Sequence, residues 1–141
     1  GVEANTEELT GEGAVNGHKE ALIDGNLNTF WHSQWDGEGK NPPLPHIIIF
    51  DMQQTQNILS IELARRQNNL DLKAVMFSIS DDKENWTELG KLDFPNDKVP
   101  NAQIILLPKA ISGRYFRTTV TDSNNGVNAS IAEIMFTMGK K

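Results

Sequence analysis

The chain has 141 residues, a net charge of −6 and no cysteine. That length fits one domain with a full hydrophobic core, while the acidic balance argues against a protein that coats nucleic acid, which needs clustered Lys and Arg. The missing cysteines exclude disulfide frameworks, thiolate zinc sites and cysteine nucleophiles, and no apolar run exceeds the four residues seen in Ile47–Phe50, far below the roughly 20 that span a bilayer as a helix.

Residues 1–13 are acidic, Gly-rich and nearly without large apolar groups. That composition predicts a linker or a loosely docked arm, with the domain proper over 14–141. No charged-then-apolar leader opens the sequence, so any export signal is expected to be already absent from it. Lys19 to Ile23 reads as one helical turn, ended by Gly25. Next comes an oxygen-rich loop, Asp24-Gly25-Asn26-Leu27-Asn28-Thr29. Asp24, Asn26 and Asn28 sit at alternate positions, as at the start of an EF-hand loop. The sixth position is Thr29 instead of Gly, however, and the twelfth is Trp35 instead of Glu, so an EF-hand is excluded. Two readings remain open: a plain Asx turn, or a calcium site of another geometry built largely from carbonyls.

An aromatic segment follows, Thr29-Phe30-Trp31-His32-Ser33-Gln34-Trp35. Trp31, directly after Phe30, reads as a core residue. Trp35 enters a Gly- and Pro-rich loop and reads as a platform for the flat C–H face of a ligand such as a sugar. From Ile47 onward, period-2 segments dominate. They are Ile47 to Phe50, Leu59/Ile61/Leu63, Val75/Phe77/Ile79, Trp86 to Leu89, Ile104 to Leu107, Phe116/Thr118/Val120 and Ala132/Ile134/Phe136/Met138. The unbroken Ile104 to Leu107 run is expected to be buried on both faces. Turn clusters separate the segments, Gln53 to Asn57 among them. This spacing predicts an all-β sandwich or barrel, and the lack of any long 3.6-period segment removes doubly wound α/β folds.

Catalysis has little support. His18, His32 and His46 lie 14 residues apart, with no i,i+4 pair to grip zinc. There is no Gly-x-Ser-x-Gly, P-loop or GxGxxG. Polar partners for a ligand on Trp35 are available in Arg65-Arg66-Gln67-Asn68-Asn69 and in Ser123-Asn124-Asn125-Gly126. Each also reads as an ordinary turn or solvated face.

Five segments in register resemble the coagulation-factor type C, or discoidin, superfamily. They are Ala21-x-x-Asp24-Gly25-Asn26-x-x-Thr29-x-Trp31, Pro45 to Asp51, Ser78-Ile79-Ser80-Asp81-Asp82-x-x-Asn85-Trp86, Arg114-Tyr115-Phe116-Arg117 and Ile131-Ala132-Glu133-Ile134. The branch most similar to this sequence is the bacterial family 32 carbohydrate-binding modules, which lack the cysteines of the animal domains. The resemblance implies a β-sandwich jelly roll of the galactose-binding type, in agreement with the strand reading. It also implies a non-catalytic glycan-binding module, secreted, periplasmic or on a bacterial cell surface, attached to neighbouring domains of a larger protein. A structural calcium ion is implied, held by the carbonyls of Ala21, Asn26 and Ala132, by Thr29, and by the carboxylates of Asp24 and Glu133. For sugar, the family's His and Trp three residues apart match His32 and Trp35. Its Arg matches Arg66, with Arg65 as alternative, and its Asn matches Asn69 or Asn68. A second aromatic that many members carry late in the chain is missing, and Asn124 and Asn125 stand in its place. A protein-adhesion domain and a structural spacer remain the alternatives. The charge of −6 and a long loop over 36–45 with Leu44 as its one large apolar residue argue against binding acidic lipid.

Overall fold

A computed structural model describes residues 1–66, 70–95 and 101–139. The described residues form eight strands: β1 Val2–Ala4, β2 Trp31–His32, β3 His46–Ala64, β4 Leu72–Ser80, β5 Thr87–Asp93, β6 Ala102–Ser123, β7 Ser130–Ile131 and β8 Glu133–Gly139. One 3₁₀ turn, Lys19–Ile23, stands where the sequence predicts a helical turn. Among the described residues no helix is long and apolar enough to cross a membrane.

All of these strands pair antiparallel. Two of them, β3 and β6, are long enough to serve both layers of the sandwich. The first half of β3 pairs with β1 and with the second half of β6, which continues to β4 and β5. The second half of β3 pairs with the first half of β6 and with β8. Gln53 to Asn57 is therefore not a turn between strands. It is an irregularity within β3, between the pairs Asp51↔Tyr115 and Gln56↔Gly113. Such a register shift bends a strand and turns it from one layer into the other. The bend brings backbones close together: a Cβ on Gly113 would lie 2.3 Å from Cγ1 of Ile79, so no larger residue fits without movement.

Alternation places Phe50, Phe77 and Phe116 on the inner face of one layer and Ile61, Leu63 and Phe136 on the other. Phe116 meets Phe136 edge-on, with ring centroids 4.4 Å apart, and Phe50 meets it at 5.6 Å. These contacts join the layers. On β6 only one face of the Ile104 to Leu107 run turns inward, because its partner β3 alternates as well. Ile105 and Leu107 pack on the core, while Ile104 and Leu106 are 53% and 74% exposed. The expected burial of both faces is thus corrected.

Residues 1–13 differ from the loose arm expected of them. Val2–Ala4 is an edge strand on β3. The Thr6 carbonyl accepts a bond from the indole nitrogen of the fully buried Trp31 at 2.9 Å. Glu8 is 1% exposed. The short pair β2–β7 closes the end of the sandwich beside this segment, with Trp31↔Ile131 and His32↔Ser130 in register.

Candidate functional site

At that end of the sandwich three connections converge: the segment after β2, the β3–β4 connection and the β6–β7 loop. They enclose an open cleft of about 460 Å³ lined by Glu12, His32, Trp35, Arg66, Asp71, Asn124, Asn125 and Asn128. Its polar groups are fixed from behind. His32 is buried on β2, and its Nδ1 lies 2.6 Å from the Ser33 carbonyl. A carbonyl only accepts, so Nδ1 carries a proton and donates it there, which fixes the ring orientation. Nε2 stands 3.8 Å from Oδ2 of Asp71. The other carboxylate oxygen of Asp71 accepts from the backbone N–H (3.0 Å) and hydroxyl (2.8 Å) of Ser130. Burial pushes the Asp71 carboxyl above its ordinary range, and the Ser130 hydroxyl bond opposes that shift. Ser33 donates to Oδ1 of Asn128 at 3.3 Å and accepts from the Ala129 N–H at 3.1 Å, which ties the β6–β7 loop to β2. Arg66 lays its guanidinium on Phe30, with Cζ 3.8 Å from the ring centroid.

Trp35 is 38% exposed, unlike the fully buried Trp31. Its platform is held by the N-terminal segment. The indole nitrogen donates to Glu12 Oε1 at 3.1 Å. The ring lies on Gly11, where an added Cβ would come within 2.4 Å of Cζ2. Beneath it, Glu8 accepts from four backbone N–H groups. Thr10 and Gly11 bind Oε2, each at 2.9 Å, while Trp35 (2.9 Å) and Asp36 (2.7 Å) bind Oε1. Burial alone would raise the Glu8 pKa. The bonds from Gly11, Thr10, Trp35 and Asp36 outweigh it and hold the value at about 2.

The structure therefore brings His32, Trp35, Arg66 and Asn124 into one cleft. It does not bring Arg65 there. That side chain is fully buried on the opposite face of the chain, with Cζ 4.5 Å over the ring of Phe94, so its candidacy is corrected. Asn68 and Asn69 lie outside the described residues. Sequence reasoning missed Glu8, Glu12, Asp71 and Asn128, while Asn125 lies in the stretch it offered as polar partners. Asn128 follows that stretch by two residues, and Asp71 directly precedes β4. Glu8 and Glu12 had no signal beyond lying in an acidic stretch.

The candidate calcium residues meet at a second place, where the loop after the 3₁₀ turn touches the start of β8. The Asp24 carboxylate accepts from the Asn26 N–H at 2.9 Å and from the Thr29 hydroxyl at 2.5 Å. The Asn26 carbonyl takes the same hydroxyl at 3.0 Å. Glu133, only 4% exposed, accepts from the Gly25 N–H through Oε2 at 3.2 Å, while its Oε1 is buried with no hydrogen-bond partner. Burial first, and the neighbouring Asp24 second, push the Glu133 carboxyl up to about 7. A buried carboxylate oxygen without a donor, facing a like charge, suits a hard cation with oxygen ligands. Ala21 and Ala132 are both buried. A different group, Glu7, His18 and Glu20, also has its ligand atoms within 4.8 Å of one another. There Lys19 already bridges Glu7 at 3.3 Å and Glu20 at 3.1 Å, so those charges are met from within the chain.

Known proteins share this architecture. The chain is 38% identical to the C-terminal domain of a chitobiase from Bacteroides fragilis, with a TM-score of 0.79 over 98% of this chain and 93% of that one. It superposes with a TM-score of 0.77 on the family 32 carbohydrate-binding module of Clostridium perfringens NanJ in complex with galactose, at 20% identity, covering 96% of this chain and 91% of that one. It is 31% identical over 156 aligned positions to a lacto-N-biosidase from Bifidobacterium bifidum, covering 95% of this chain and 13% of that protein. Across the curated relatives it matches, the chain spans 10% to 18% of their length. The jelly-roll fold and the family 32 neighbours agree with the resemblance drawn from the sequence. The F5/8 type C domain matches residues 2–134, nearly the whole chain, and the chain belongs to that family.

Proposed function

We propose that this chain is a non-catalytic module that binds a glycan in the cleft lined by His32, Trp35 and Arg66. The observation that carries the reading is their convergence: an exposed indole, an oriented imidazole and an aromatic-backed guanidinium face one cleft of about 460 Å³. That is the equipment a sugar ring calls for. The indole face packs on C–H bonds, while the planar guanidinium, imidazole and amide groups meet the hydroxyls. Trp35 stays on the rim because Gly11 and Glu12 brace one side of its ring. His32 offers an imidazole fixed in orientation by its Nδ1 bond, and Arg66 offers the edge of a guanidinium whose flat face rests on Phe30. The galactose held by the Clostridium perfringens module supports a galactose-type ligand. The late loop supplies Asn124, Asn125 and Asn128 in place of a second aromatic ring, so amide hydrogen bonds replace stacking on that side.

The reading extends to a structural calcium ion held by Asp24, Glu133, Thr29 and the carbonyls of Ala21, Asn26 and Ala132. The unpartnered buried oxygen of Glu133 supports it. When bound, the ion would neutralise the Asp24–Glu133 pair and tie the loop after the 3₁₀ turn to β8. We also infer that the module belongs to a larger exported bacterial protein, as the small share of its relatives' length suggests.

A glycan array on the chain, followed by titration calorimetry on the best ligand, tests the function. Trp35→Ala is expected to abolish detectable binding while leaving the thermal melt near that of the parent chain. Full binding by that variant, or no ligand on a broad array, overturns the reading.

A further inference from the structure

The lining of the cleft is unevenly charged. Two carboxylates, Glu12 and Asp71, share it with the guanidinium of Arg66 and the imidazole of His32, and both of these act on Asp71 rather than on Glu12. Glu12 spends Oε1 on the indole N–H of Trp35, a neutral donor that leaves its charge uncompensated. Asp71 is fixed by Ser130 through Oδ1, and its Oδ2 is turned toward His32 at 3.8 Å. Arg66 shares its positive charge with the π-face of Phe30 at 3.8 Å.

We propose, building on the glycan reading above, that this cleft sorts sugars by charge: it takes a sugar carrying a free protonated amine ahead of the neutral parent sugar, and it rejects the corresponding uronate. An ammonium group has three donors and no acceptor, and it meets the two carboxylates with charge-assisted bonds. A neutral hydroxyl in the same place can still donate to a carboxylate, but it brings no positive charge to set against it. A uronate carboxylate would bring a third anion against Glu12 and Asp71, a juxtaposition that opposes binding.

The test uses the intact chain and methyl glycosides of three matched sugars in the galacto, gluco and manno series. They are the 2-amino-2-deoxy sugar, the neutral sugar and the uronate, compared by titration calorimetry at about pH 6, where an amine of this kind is protonated. In the series that binds, the amino sugar should bind at least about fivefold tighter than the neutral one at low salt. The gap should narrow in about 0.5 M salt, which screens charges beyond a few ångströms. Glu12→Gln and Asp71→Asn each remove a charge and keep the shape; either should bring the amino-to-neutral ratio toward one and raise uronate binding. If Asp71→Asn fails to fold, Glu12→Gln on the rim carries the test alone. Equal affinity for all three sugars in the parent chain overturns the charge proposal, as does a ratio that neither variant moves. In both cases glycan binding itself stands. If none of the sugars binds and the array is also blank, the glycan reading falls, and this proposal with it.

Discussion

Arg65 and Arg66 are neighbours with opposite fates. Consecutive side chains at the end of a strand point to opposite faces. Arg66 therefore reaches the cleft, and Arg65 goes under Phe94. Period-2 geometry in the sequence says that only one of them can face a ligand, but it does not say which. The choice depends on where β3 ends and on Phe94, which is distant in sequence. The His32/Trp35 pair is legible because both residues lie in one short segment and their spacing survives into three dimensions. Asp71 was not, because its nearness to His32 is made by the β2–β7 pairing and by Ser130. Arg66→Ala should weaken glycan binding about tenfold or more while costing stability no more than about 1–2 kcal/mol, the scale of a cation–π contact. Arg65→Ala should do the reverse. Loss of a fully buried charged group and its packing should cost about 3 kcal/mol of stability, with affinity unchanged in the fraction that remains folded. Denaturant melts and calorimetry on the two variants separate the effects, and the opposite pattern would return Arg65 to the site.

Among the elements, the N-terminal segment departs furthest from its composition. Few apolar residues and several glycines predict a loose arm, yet the segment is pinned by backbone groups that a hydrophobicity pattern does not register. A single buried carboxylate, Glu8, accepts from N–H groups of two separate loops at 2.7–2.9 Å. One of those loops carries Glu12, the other Trp35. The strands themselves were legible, since alternation with half-buried faces is a local signal. The bends in β3 and β6 were not: a bulge and a turn are made of the same polar residues, and only the continuing ladder beyond Gln56 tells them apart. Glu8→Gln keeps the size of the side chain but replaces one accepting oxygen with an NH₂ group that must face backbone donors. It should cost about 2–3 kcal/mol of stability. It should also weaken glycan binding by several-fold even where the variant is fully folded, because the Trp35 loop loses its anchor. A folded Glu8→Gln chain with parental affinity would show that the segment is a brace for the fold alone.

At the scale of the whole molecule, two buried groups set how stability answers to solution conditions. His46 is fully buried, and its Nε2 lies 2.6 Å from the Val127 carbonyl of the cleft loop. Burial lowers its pKa below the ordinary 6.5, with the Val127 bond opposing. Between those two values the unfolded chain binds the proton and the folded chain does not, so the contribution of His46 to stability falls as pH drops below about 6.5 and levels off once the folded His46 also titrates. The raised Glu133 carboxyl contributes with the opposite sign over the range below about 7. His46→Gln should therefore make the melting temperature hold up better toward low pH than in the parent chain; a profile that parallels the parent's would show that His46 adds nothing to the slope. The second group is Glu133 with its like-charged neighbour Asp24, at the junction between the 3₁₀ turn and β8. Without a cation, folding leaves Oε1 of Glu133 buried and without a donor. A bound calcium would take that oxygen as a ligand and turn the repulsion into attraction. A cation that binds only the folded chain, at about 100 times its dissociation constant, adds about 2.7 kcal/mol. For a domain of this size that corresponds to roughly 10 °C in melting temperature. Chelation should therefore lower the melt by about that much, and added calcium, but not magnesium at equal concentration, should restore it. Glu133→Gln removes the like-charge repulsion as well as the ligand, so it should raise the melting temperature of the chelated chain while abolishing its response to calcium. A chain whose melt ignores both chelator and calcium would show that the Asp24–Glu133 pair is held without a metal.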